Sequence, residues 1–132
     1  REQAASRGLD DLVQFPGYRD DLDRWIGCFD LFVHPALAEG LGVATLKAQA
    51  AGVPVVAFAA GGLREAVADG ETGLLVPAED SDALAGAMQR LLDDDALRAR
   101  FAAAGRARMA SEFSIDTMAD KHVALYESIL HD

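Results

Sequence analysis

The chain has 132 residues, 51% of them hydrophobic and 26% charged, with a formal net charge of -10. That balance predicts a single folded domain and argues against a disordered chain. It also argues against nucleic acid or an anionic membrane surface as a general partner. Cys28 is the only cysteine, which excludes an internal disulfide and a cysteine-based metal site and fits a reducing compartment. No apolar run approaches the ~20 residues of a membrane span, and Arg1–Gly8 does not read as a signal peptide. A cytoplasmic location is expected, peripheral at the inner membrane face for a full-length protein. The polar opening Arg1–Gly8 has no Met, so an upstream part is expected to be missing.

In chain order, Arg1–Gly8 reads as the end of a helix with Gly8 as its stop. Leu12–Pro16 reads as a short strand between Asp10–Asp11 and Pro16–Gly17. Asp20–Gly27 reads as a helix with Leu22, Trp25 and Ile26 turned inward, Trp25 as a core residue. Leu31–His34 is the second expected strand. Gly42–Ala51 is apolar nearly all round, which predicts a buried helix ended by Gly52. Val55–Phe58, opened by Pro54, is the third strand, and Leu63–Ala68 a short helix. Asp69–Gly73 reads as a turn and Leu74–Val76 as the fourth strand. Beyond Pro77 the pattern is helical only. Ser81 is the expected cap of Asp82–Leu92, Asp93–Asp95 a solvated boundary, and Ala96–Glu112 a second helix. Ser114 caps the last one, Ile115–Leu130, whose stripe of Ile115, Met118, His122, Leu125 and Ile129 predicts a packed face with His122 structural.

Strands alternating with helices on short loops predict an α/β fold: a Rossmann-like parallel sheet with helices on both faces and a helical C-terminal tail. The expected division is a sheet region over residues 1–77 and a tail over 78–132. Ligands in such sheets bind at the C-terminal ends of the strands. Two loops lie there. One holds Glu39, Gly40, Leu41 and Gly42; the other holds Gly61 and Gly62, with Glu65 one turn into the next helix.

Glu39-Gly40-Leu41-Gly42 supports two readings. In one, the amides of Gly42, Val43 and Ala44 face a phosphate and Glu39 accepts hydrogen bonds from sugar hydroxyls. In the other, it is an ordinary strand-to-helix turn whose carboxylate favours the helix dipole. The Gly61–Gly62 corner likewise reads as a ligand loop or as a tight turn. His34 ends its strand near these loops. It reads as a supporting residue, packed or solvent-facing, more readily than as a general base.

Five blocks in order carry a family resemblance: Pro35-Ala36, Glu39-Gly40-Leu41-Gly42, Gly52-Val53-Pro54-Val55-Val56, Gly61-Gly62-Leu63-Arg64-Glu65 and Asp69-Gly70-Glu71-Thr72-Gly73-Leu74-Leu75-Val76, and the resemblance extends to Phe113-Ser114 before the last helix. They resemble the C-terminal half of retaining glycosyltransferases of the GT-B arrangement, most similar to the family 4 type. The resemblance implies a partial Rossmann-like domain that binds a nucleotide-diphosphate sugar. It places Glu39 at the donor sugar as the catalytic-site residue. It places Gly40, Leu41 and the Gly42–Ala44 amides at the diphosphate, Gly61–Gly62 close to the sugar, and Glu65 in support of that loop. It implies no cofactor and no required metal, and a sugar, lipid or small-molecule acceptor bound by a half that this chain lacks, so that the isolated chain is inactive.

Two departures matter. Lys47 stands where the family pattern has a second Glu, which accepts from both ribose hydroxyls. An ammonium cannot accept, so that ribose contact is lost; a positive charge near the diphosphate would offset it by a comparable amount, and Lys47 reads alternatively as a side chain that snorkels from a buried helix and touches no ligand. The strand, basic pair and helix that usually open this half are not among these 132 residues and are expected in the missing upstream part. A sheet short of strands exposes an edge, and self-association through that edge is expected.

Overall fold

The computed structural model describes residues 1–130. Three parallel strands form one sheet in the order β1 (Phe32–His34), β2 (Val55–Phe58), β3 (Gly73–Val76). Phe32 pairs with Val55 and His34 with Ala57; Val55 pairs with Gly73 and Phe58 with Val76. Seven helices surround the sheet among the described residues: α1 (Glu2–Ser6), α2 (Leu22–Trp25), α3 (Val43–Ala50), α4 (Leu63–Ala66), α5 (Ser81–Leu92), α6 (Asp95–Glu112) and α7 (Ile115–Leu130). A 3-10 turn, Ile26–Cys28, extends α2.

The apolar run Val55–Phe58 is the central strand, and all four of its residues are buried. Side chains alternate across a strand, and two cores follow from that. Val55 and Ala57 join Ile26, Ala48, Leu63 and Val67 beneath α3 and α4. Val56 joins Leu74, Leu91, Leu97 and Phe101 beneath α5 and α6. Helices therefore cover both faces, as the alternating pattern predicts.

α6 ties the helices together. Near its start Leu97 and Phe101 enter the second core. Further along, Gly105 lies against α3, where a Cβ would stand 3.4 Å from Gln49 Cβ. Its arginines meet the unpaired carbonyls that end other helices. Arg98 donates to Leu91 O at 2.6 Å and Leu92 O at 2.7 Å, closing α5. Arg108 donates to Glu65 O at 2.8 Å and Ala66 O at 2.9 Å, closing α4.

Several expectations are corrected. Leu12–Pro16 forms no strand. The chain turns instead, with Leu12 and Val13 N–H both donating to Leu9 O, and no neighbouring strand among the described residues offers Leu12–Pro16 a ladder. Trp25 is half exposed; Ile26 takes the inward place at 3% exposure. Trp25 instead donates from Nε1 to Asp21 Oδ2 at 2.8 Å, beneath the Arg19 guanidinium. α3 is buried on one face only, through Thr45, Ala48 and Gln49, while Val43 is exposed. Asp80, not Ser81, caps α5, its Oδ1 accepting from Ala83 N–H at 2.8 Å. Asp94 does the same for α6 through Leu97 N–H. α7 buries none of its residues, so its apolar stripe faces outward and His122 is exposed, bonded at Nδ1 to Met118 O. Among the described residues no helix is long and apolar enough to cross a membrane.

Candidate functional site

The parallel register places His34 beside Ala57. The loops after β1 and β2 therefore leave the same rim of the sheet side by side. They interlock. Gly62 N–H donates to Glu39 O at 3.0 Å. A Cβ on Gly61 would meet Glu39 O at 2.3 Å, and one on Gly62 would meet Gly40 O at 1.7 Å. What fills the space that a side chain would need at 61 and 62 is the main chain of the first loop. The two glycine corners meet, and they need glycine for that meeting.

The first loop ends at Gly42, which enters α3 at φ 74° and ψ 51°. That left-handed conformation favours glycine, and a Cβ there would also lie 2.8 Å from Leu63 Cδ2. No side chain caps α3. Its first-turn amides at Val43 and Ala44 thus point out at the positive end of the helix dipole, a geometry suited to an anion.

Glu39 sits beside this helix start. Its Oε2 lies 3.0 Å from His34 Nε2, and its Oε1 accepts from Gly40 N–H at 3.0 Å. The His34 hydrogen bond, with smaller help from the Gly40 and Gly42 amides and against partial desolvation, holds the Glu39 carboxyl below the usual carboxylate range. The group is therefore ionised at neutral pH, and a carboxylate only accepts, so His34 Nε2 carries the shared proton. His34 is in turn stacked on Phe32, with ring centroids 5.9 Å apart. His34 and Gly40 take two of the roughly four acceptor directions of the carboxylate and the Gly42 amide lies toward it more weakly, which leaves room for an incoming hydroxyl. Leu41 is half exposed and lines a groove of about 270 Å³ with Leu46, Phe113, Met118 and Lys121.

Lys47 lies one turn further along α3, and its Nζ donates to Asp23 Oδ1 of α2 at 2.8 Å. Both side chains are largely exposed, so the pair is worth no more than about 1 kcal/mol. The Glu65 side chain is exposed, and it is the Glu65 carbonyl, held by Arg108, that ties α4 down. Sequence reading singled out neither Arg108 nor Gln49 nor Asp23. Only Gln49 carried a signal, a polar residue in an apolar helix; its Nε2 donates to Ala66 O at 2.8 Å inside the core. Thr45 Oγ1 and Gln49 Oε1 are buried and have no hydrogen-bond partner among the described residues.

Comparison with known proteins places this geometry. A family model described as glycosyl transferases group 1 matches residues 1–94. The lipopolysaccharide core biosynthesis mannosyltransferase LpsB of Rhizobium meliloti is 39% identical over 132 residues, 98% of this chain and 38% of LpsB. The structure of Anabaena HepE in complex with UDP superposes with a TM-score of 0.90 at 29% identity, over 96% of this chain and 35% of HepE. The C-terminal domain of the group 1 glycosyltransferase LpcC of Francisella tularensis matches with a TM-score of 0.76 at 27% identity, over 86% of this chain and 60% of that domain. The chain thus spans little more than a third of the length of LpsB or HepE. With its interlocked rim and doubly covered parallel sheet, it belongs to the glycosyl transferases group 1 family, as the C-terminal part of the GT-B fold.

Proposed function

We propose that this chain is the donor-binding part of a glycosyltransferase that moves a sugar from a nucleotide diphosphate to an acceptor hydroxyl with retention. One observation carries the reading: an ionised carboxylate, Glu39, is fixed beside the uncapped start of α3 by a loop-to-loop lock. In this reading Gly42, Val43 and Ala44 meet the diphosphate through their amides, and Glu39 accepts from the sugar hydroxyls. Gly40, Leu41, Gly61 and Gly62 shape the wall, and His34 and Glu65 support it. Lys47 meets the nucleotide only by leaving Asp23. The donor needs no metal, because main-chain amides carry the phosphate charge. HepE has been solved with UDP and with UDP-glucose, which supports the donor class.

The acceptor, a sugar, lipid or small molecule, binds to the remainder of a longer cytoplasmic enzyme, peripheral at the membrane, and the isolated chain does not turn over. The edge of β1, paired on one side only among the described residues, supports self-association of the isolated chain. A second reading, a degenerate module without nucleotide binding, is favoured by the Lys47–Asp23 pair alone.

Calorimetric titration of UDP, GDP and ADP into the full chain separates the two. Binding of at least one nucleotide supports the donor reading; a folded chain that binds none refutes it. Glu39→Gln should weaken UDP-glucose binding about tenfold, a charged hydrogen bond's worth, and leave UDP nearly unchanged.

A further inference from the structure

α4 is a single turn of four residues, too short to persist by itself. Yet it begins at Gly62, the residue that locks the two loops. α6 and α3 hold it from the other end. Arg108 places Nη1 on Ala66 O at 2.9 Å and Nη2 on Glu65 O at 2.8 Å, across 42 and 43 residues of sequence. Gln49 adds a second bond to Ala66 O. The third nitrogen of the fork, Nε, bonds Glu112 Oε2 at 3.1 Å, and the guanidinium lies 5.0 Å over the Phe113 ring. All three nitrogens and one face are engaged, so a planar group with fixed donor directions has a single orientation here.

The path continues without a gap. From Arg108 it reaches the end of α4, and from α4 it reaches Gly62. Gly62 N–H bonds Glu39 O, with Gly40 packed too close for any Cβ. Glu39 then presents its carboxylate to His34 and Gly40.

We infer that Arg108 is a positioning residue for Glu39, clamping α4 and, through Gly62, the main chain that sets the Glu39 carboxylate against His34. The inference rests on the donor-binding reading for its consequence, not for its geometry. It is distinct from a general role in holding α6, which docks through Leu97, Phe101 and Met109. Gln49 keeps one bond to α4 when the guanidinium is gone, so the loop loosens while the fold stays.

The test compares wild type, Arg108→Met and Arg108→Lys in the full chain. Met keeps the stem without donors; Lys offers one ammonium where a fork spans two carbonyls. Carbon NMR follows the Glu39 carboxyl through pH, and calorimetry compares UDP-glucose with UDP. In Arg108→Met the Glu39 midpoint should rise toward the ordinary carboxylate value. UDP-glucose affinity should fall about fivefold with UDP changed less than about twofold, and Arg108→Lys should lie between. An Arg108→Met protein that melts earlier but keeps the wild-type Glu39 titration would overturn the proposal, since Arg108 would then be structural only. Should Arg108→Met fail to fold, Arg108→Lys decides by the same titration. If wild type binds none of UDP, GDP and ADP, the donor reading fails while the titration still settles the role of Arg108.

Discussion

Gly62→Ala tests the lock between the two loops directly. Gly62 has φ -66° and ψ -9°, ordinary helical values that alanine adopts freely, so backbone strain contributes nothing. Any cost comes from contact. The new Cβ would lie 1.7 Å from Gly40 O, 2.7 Å from Gly40 C and 3.1 Å from Leu41 Cα. All three are main-chain atoms that no side-chain rotation can clear. To bring the oxygen out to 3.0 Å the loops must part by 3.0 - 1.7 = 1.3 Å, which also breaks the Gly62 N–H bond to Glu39 O. Overpacking of this kind costs about 1–3 kcal/mol and the lost hydrogen bond about 1 kcal/mol, together about 2–4 kcal/mol. For a domain of this size that lowers Tm by about 8–16 °C. Scanning calorimetry of wild type and variant at one pH and concentration reads it. A variant melting within about 2 °C of wild type, the range of an inert surface change, would refute the lock and with it the shared rim.

Gly86→Ala should do the reverse. Gly86 is exposed inside α5 with nothing within 4 Å of its added Cβ, so urea unfolding should show a gain of about 0.5–1 kcal/mol. Asp94→Ala removes the carboxylate that accepts from Leu97 N–H at 2.8 Å and should cost about 1 kcal/mol in the same assay. Glu39→Gln should change the pH dependence of stability. The Glu39 carboxyl titrates lower in the folded chain than in the unfolded one, through His34 first. Its contribution is therefore complete above the ordinary carboxylate value of about 4.3 and is lost as pH falls through the folded value. Urea unfolding from pH 7 to 3 should show wild type losing its advantage over Glu39→Gln at the acid end; a constant difference across that range would contradict the His34–Glu39 interaction.

What was legible in the sequence is what a segment reveals by itself. Val55–Phe58 reads as a buried strand because four consecutive apolar residues between Pro54 and the Gly61–Gly62 corner leave little else to form. α5, α6 and α7 announce themselves by period and by caps, with an error of one residue where two capping side chains compete, as Asp80 beside Ser81. Leu12–Pro16 fails for the opposite reason. Its composition suits a strand, but a strand is a relation between two segments, and the described residues supply no partner. The stripe on α7 shows the same limit. Its period predicts a helix correctly and says nothing about whether a neighbour exists to bury it.

The site divides along the same line. Glycine at 61 and 62 was visible as a pattern, but its reason, a main chain pressed against it from residues 39 and 40, exists only once β1 and β2 lie side by side. Arg108 looks in sequence like any charged residue on a long helix, with Glu112 four positions on as an ordinary surface pair. Its bonds to α4 cross 42 residues and go to carbonyls, which have no sequence identity for a pattern to match. Lys47 is the converse case. Its position in the motif suggests a role at a ligand, and the fold gives it Asp23 to hold instead. A worth of about 1 kcal/mol for that exposed pair is less than a phosphate contact in a drier site can supply. The ion pair therefore does not by itself keep Lys47 from a diphosphate that comes within its reach, although the ribose contact of a carboxylate at this position stays lost to an ammonium.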